Sequence, residues 1–174
     1  MTAATAPSVK AVHRPTGMVA GDGLLHPAAL MAIAVLVVND HLLKAAWPGL
    51  VTGKLSDFAG LLFFPLFLQA AWEVVRAVGG RPMVGSRRVL IVAIVLTAVV
   101  FAAIKTVPIA ADAYSLVLGF LQWLVGIAPA VLASGHAGSP HRVFVAMDPT
   151  DLIALPVVAM AYRIGVARIR VAEA

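Results

Sequence analysis

Two stretches of this chain carry the same polar residues in the same order, each between apolar runs. The first has Lys44, Pro48 and then Ser56-Asp57-Phe58-Ala59-Gly60-Leu61; the second has Lys105, Pro108 and then Thr150-Asp151-Leu152-Ile153-Ala154-Leu155. Lysines and carboxylates at the edge of hydrocarbon are costly, so they pair with one another, line a polar cavity or carry chemistry. Five of the eight acidic residues fall near these copies: Asp40, Asp57, Asp112, Asp148 and Asp151. Lys44, Lys54, Lys105 and His41 belong to the same level. A cluster of both signs suits a headgroup carrying both signs, or a path for protons or ions. Asp57 and Asp151 are the expected polar anchors. Lys44, Lys54 and Lys105 are their counter-charges, with Asp40 and His41 alongside.

Local structure offers a plainer role for several of these residues. Asp40 and Lys44 are spaced to pair along one helix face. Ser56 is placed to cap a helix with Asp57 in its first turn, where a carboxylate favours the dipole. Asp148-Pro149-Thr150-Asp151 reads as a helix start, with Asp148 as the cap and Pro149 at the first helical position. Lys54, just ahead of the expected helix start, is either a solvated loop lysine or an anion contact beside free N–H groups.

The elements that must hold these residues are membrane helices. Of 174 residues, 61% are hydrophobic and 12% charged, with a mean hydropathy of +0.98; soluble domains run at about 45–50% apolar and about 25% charged. An integral membrane protein follows. The net charge of +5 does not imply nucleic-acid binding, because the basic residues lie between apolar segments and act as topology signals. With no cysteine, disulfides and thiolate chemistry are excluded. His41, His136 and His141 lack tight metal-ligand spacing, and one helix cannot present His26 and His41 to a single haem iron, so neither metal nor cofactor is expected. Phosphate loops, nucleophile elbows and paired-carboxylate glycosidase signals are missing as well. No nucleophile–base pair can be named, which favours binding over catalysis.

Residues 1–23 read as a disordered tail and 24–170 as one transmembrane helical domain, with 171–174 a second tail. Four spans are expected: Leu24 to Trp47, Phe58 to Val78, Val89 to Ala111 with Lys105 snorkelling, and Asp148 to Arg168. Gly79-Gly80 turns the chain between the second and third. Pro65 marks a kink within the Phe63–Phe67 aromatic stretch. Ser115 to Ser134 is apolar but interrupted by Gln122, Gly126 and Pro129, so it reads as a re-entrant or interfacial helix, with a fifth span as the alternative. Loop charge decides between them. With a cytoplasmic amino terminus, four spans place nine Lys and Arg inside and four outside, whereas five spans give seven and six. The expected fold is therefore an all-α polytopic bundle of four transmembrane helices plus a partial one. It would stand in a bacterial plasma membrane, with the polar cluster on the outer side and the repeat marking two parallel helical hairpins.

The order of these features resembles the VanZ-like family of small bacterial membrane proteins, which is linked to teicoplanin resistance. Lys54-Leu55-Ser56-Asp57-Phe58 is similar to that family's K-x-x-H-F helix start, with Asp57 in the histidine position. Phe120-Leu121-Gln122-Trp123 followed by His141-Arg142 resembles its middle element, and Asp148 to Leu155 its last. No acidic residue accompanies Gln122, and Ala154 or Leu155 stands where that pattern has asparagine. The resemblance covers about residues 50–165 and implies a cell-envelope role. The phrase from Trp47 to Gly60 also resembles membrane proteins with no assigned activity. Three functions fit these observations: binding or handling of a polar or lipid-linked envelope molecule at the outer leaflet, a small transporter or proton/ion pathway titrating at Asp40 and Asp57, and an accessory subunit of a larger membrane complex or oligomer.

Overall fold

A computed structural model describes residues 22–47, 49–81 and 85–173; residues 1–21 of the tail expected over 1–23, and Pro48 of the first polar copy, lie outside them. The regular secondary structure among the described residues is helical, without a β-strand. The chain is an all-α bundle in which five helices are long and apolar enough to cross a membrane. We number them α1 (Pro27–Ala46), α2 (Leu50–Val78), α3 (Arg87–Thr106), α4 (Pro108–Ser134) and α5 (Val158–Glu173). A 3-10 helix, Pro149–Val157, leads directly into α5, and the two together make the fifth candidate span.

Helix ends follow local chemistry. At the start of α1, His26 Nδ1 accepts the Ala28 N–H at 3.2 Å and Pro27 takes the first helical position, where its missing donor is harmless. Near its end, α1 widens into a π-helical turn over Asn39–Leu43. Gly79 and Gly80 end α2, and the positive φ of Gly80, 71°, is a turn geometry that glycine adopts without strain. Pro65 lies inside α2, which runs unbroken past it. The last span, expected over Asp148 to Arg168, continues to Glu173.

The central helix is α2, which packs against α1, α3, α5 and the 3-10 segment. Its contacts use small side chains: Ala29, Ala32, Ala59 and Ala161 are buried with Leu62, Leu66, Leu90 and Ile164. Small residues let helix backbones approach where lipid supplies no hydrophobic driving force. Gly165 is the tightest of these sites. A Cβ there would stand 2.6 Å from Leu90 Cδ2 and 3.3 Å from Gln69 Oε1. Gly165→Ala is expected to destabilise the bundle by about 1–3 kcal/mol through overpacking, measured by denaturant unfolding in detergent. Facing outward, Leu30, Met31, Val92, Val95, Leu96 and Val99 are all exposed, the surface that a bilayer covers.

Two rims result. Lys105 of α3 meets Asp151 of the 3-10 segment at one. At the other, the Arg87 guanidinium donates to the Tyr162 hydroxyl and lies over its ring.

The segment expected as a partial helix is continuous rather than interrupted. The third span stops at Thr106 rather than Ala111, and after extended Val107 a new helix starts at Pro108. It passes Gln122, Gly126 and Pro129 without a break, because helices adjoining lipid have no competing partner for their backbone groups. Residues 135–148 then return along α4 without regular secondary structure, turning at Gly135 and Gly138, whose φ values are positive. Val143 N–H donates to the Ser115 carbonyl at 3.3 Å, Ser115 Oγ donates to the Val143 carbonyl at 2.5 Å, and Trp123 Nε1 donates to the Ala137 carbonyl at 3.0 Å. Both ends of this excursion therefore stand at the Lys105 rim.

Candidate functional site

The site is assembled by three helix boundaries. The first is the start of α2, which corrects the expectation that Ser56 caps it. The cap lies earlier: Gly49 N–H donates to Thr52 Oγ1 at 3.2 Å, and that hydroxyl lies 3.1 Å from the Trp47 carbonyl. Buried Thr52 thus serves the cap, and Ser56 and Asp57 fall inside the helix. Lys54 is inside it too, so it does not precede free helix N–H groups. Lys54 and Asp57, three residues apart, share a face.

The second boundary is the end of α3, which carries Lys105. The third is the start of the 3-10 segment, where Asp148 caps as expected, accepting the Thr150 N–H at 2.9 Å and the Thr150 hydroxyl at 2.7 Å. These two donors, the hydroxyl first, hold the Asp148 carboxyl below the usual carboxylate range. Asp151, three residues after the cap, points into the bundle.

These boundaries bring four charges into one chain of ion pairs. Asp151 Oδ1 accepts Lys54 Nζ at 2.8 Å and Asp151 Oδ2 accepts Lys105 Nζ at 2.6 Å. Lys105 also reaches Asp57 Oδ2 at 3.2 Å, and Lys54 reaches Thr150 Oγ1 at 2.8 Å. Lys105 therefore does not snorkel outward. Two carboxylates inside the bundle hold it, and its side chain is 13% exposed, against 15% for Asp57 and 9% for Asp151. Charges this far from water are tolerated because each has a charged hydrogen-bond partner.

Lys44, Asp40 and His41 are not part of this chain. Lys44 pairs with Asp40 at 2.7 Å on the outer face of α1, and His41 Nδ1 is 3.0 Å from the Val37 carbonyl, exposed. The two copies of the repeated phrase are accordingly not equivalent: Lys105 joins both aspartates, while Lys44 joins neither. A second small network links α1 to α2. Asn39 Nδ2 donates to the Thr52 carbonyl at 2.6 Å and to Ser56 Oγ at 2.7 Å, and Ser56 passes a hydrogen bond to Asp40 Oδ1 at 2.7 Å. Asn39 is fully buried within the π-helical turn, a kind of local widening found at functional sites. Sequence reasoning missed its role, although an amide inside an apolar span was the available signal.

Beside the ion pairs an apolar cavity of about 340 Å³ opens between α2 and α3. Asp57, Ser56 and Tyr114 stand at its rim end, and Gly60, Leu61, Phe64, Leu68, Leu96 and Val100 line its length. From Ser56 to Leu68 the cavity follows about 18 Å of helix. One leaflet of hydrocarbon is about 15 Å deep. Thr97, the polar residue along this wall, is satisfied internally, its hydroxyl donating to the Ala93 carbonyl at 2.7 Å. Gly60 leaves the wall open, with no atom within 4 Å of where its Cβ would be. Among the described residues, no three His, Cys, Asp or Glu side chains converge to hold a metal ion. Set beside known protein families, curated proteins and solved structures, the chain matches none of them.

Proposed function

We propose that this protein binds an amphiphilic cell-envelope molecule from the outer leaflet of a bacterial plasma membrane, its headgroup at the Asp57 end of the cavity and its hydrocarbon tail between α2 and α3. The supporting observation is the cavity itself, which joins a leaflet-deep apolar wall to a rim of Ser56, Asp57 and Tyr114. Its apolar lining favours a hydrocarbon occupant over a proton or ion path, which would need polar groups along its length.

Orientation follows from charge. Arg76, Arg81, Arg87, Arg88, Arg163, Arg168 and Arg170 belong to the rim away from the ion pairs, and lysine and arginine accumulate on the cytoplasmic side. The ion-paired rim then faces outward. Residues 135–148, which form no helix, favour an interfacial place for α4, since lipid-exposed irregular chain is not tolerated in hydrocarbon. The VanZ-like resemblance points to the same compartment.

Gly60→Phe tests this reading. A Cβ at residue 60 meets no atom within 4 Å, and a ring carried on it would occupy the cavity, so the purified variant, helical by circular dichroism, is expected to carry several-fold less bound lipid than wild type in native mass spectrometry. Equal lipid on both proteins would refute an occupied cavity.

A further inference from the structure

Resting on the cavity reading above, we infer that the headgroup taken at Asp57 is an ammonium, as on an ethanolamine-type lipid, rather than an anion. The two carboxylates of the ion-paired chain are compensated unequally. Asp151 receives two short bonds, one on each oxygen, from Lys54 and Lys105. Asp57 receives the longer bond from Lys105, at 3.2 Å, on one oxygen, and it is the carboxylate that lines the cavity. A carboxylate kept from water gains most from a further charged donor.

The lysines are poorly placed to receive an anion. Neither Lys54 nor Lys105 lines the cavity, and each is already held by Asp151. With Asp148 beside Lys54 at 3.9 Å, three carboxylates face two ammoniums, so the rim carries an excess of negative charge. An incoming anion would have to displace Asp151 from a lysine, whereas an incoming ammonium gives Asp57 a second charged donor beside Lys105. Ser56 and Tyr114, also at this end of the cavity, supply hydroxyl acceptors for the remaining N–H bonds.

The test uses the whole protein in nanodiscs holding equal parts of phosphatidylethanolamine, phosphatidylcholine and phosphatidylglycerol with identical chains, and reads retained lipid by native mass spectrometry. Wild type is expected to keep phosphatidylethanolamine over phosphatidylglycerol by roughly tenfold, the ratio that one charge-assisted hydrogen bond provides. Phosphatidylcholine, zwitterionic like phosphatidylethanolamine but with a quaternary ammonium that has no N–H donors, should fall between them. Asp57→Asn should abolish the preference, Asp57→Glu should keep it, and Asp112→Asn, which alters an exposed pair with Arg142, should leave it intact. Equal retention of the three lipids by wild type, or a preference for phosphatidylglycerol, overturns the ammonium assignment whether or not the Asp57 variants fold. So does a preference that survives Asp57→Asn or disappears in Asp112→Asn. The cavity reading stands apart from these outcomes, because it fails only if Gly60→Phe leaves the total retained lipid unchanged.

Discussion

Asp151→Ala is expected to lower the unfolding free energy by about 3–5 kcal/mol, the cost typical of removing one partner from a buried ion pair. Both oxygens of Asp151 are in use, and its loss strands two ammoniums at once. Lys105 is the more affected, since only the longer bond to Asp57 remains to it. Denaturant unfolding in detergent micelles measures the change. Combining Asp151→Ala with Lys105→Met should cost clearly less than the two single losses together, because the pair acts as a unit. A loss under about 1 kcal/mol for Asp151→Ala, as at surface pairs, would mean that water reaches the cluster freely. The exposed Asp40–Lys44 pair, four residues apart on one helix, is worth only about 0.3–0.5 kcal/mol by comparison.

Gly119→Ala is expected to free the chain that returns along α4. A Cβ at residue 119 would stand 1.7 Å from the His141 carbonyl oxygen and 2.9 Å from its carbon. Both are backbone atoms, so no side-chain rotation relieves the clash, and the two segments must part. The paired hydrogen bonds between Ser115 and Val143 are lost with that contact. Hydrogen exchange is the measurement: the Val143 amide should exchange at close to the rate of an open loop, while amides in the buried stretch of α2 keep their protection. An unchanged Val143 amide would show that residues 135–148 do not rest on α4.

The expectations that failed share one cause. Ser56-Asp57 has the composition of a helix cap, but Gly49 and Thr52 supply one two turns earlier, which turns an expected first-turn carboxylate into a side chain in mid-helix. Lys105 looks like a snorkelling lysine because a long side chain near a helix end reaches water at little cost. It turns inward because two carboxylates from other elements wait there. The interruption expected at Gln122, Gly126 and Pro129 weighs residue preferences that matter in water and count for less beside lipid.

The helices themselves were legible in the chain, because roughly 20 apolar residues suffice to cross hydrocarbon whatever surrounds them, and so was the gathering of acidic and lysine side chains near Asp57 and Asp151. Folding settled the pairings. Lys44 and Lys105 occupy matching places in the repeated phrase, yet one lies along the outside of its own helix and the other joins α2 to the 3-10 segment. Which way a helix turns its charged side chains depends on contacts with elements far away in sequence; Lys54 and Asp151 are 97 residues apart. The cavity beside Asp57 likewise belongs to no single segment, since it exists only where the walls of α2 and α3 fail to close over Gly60.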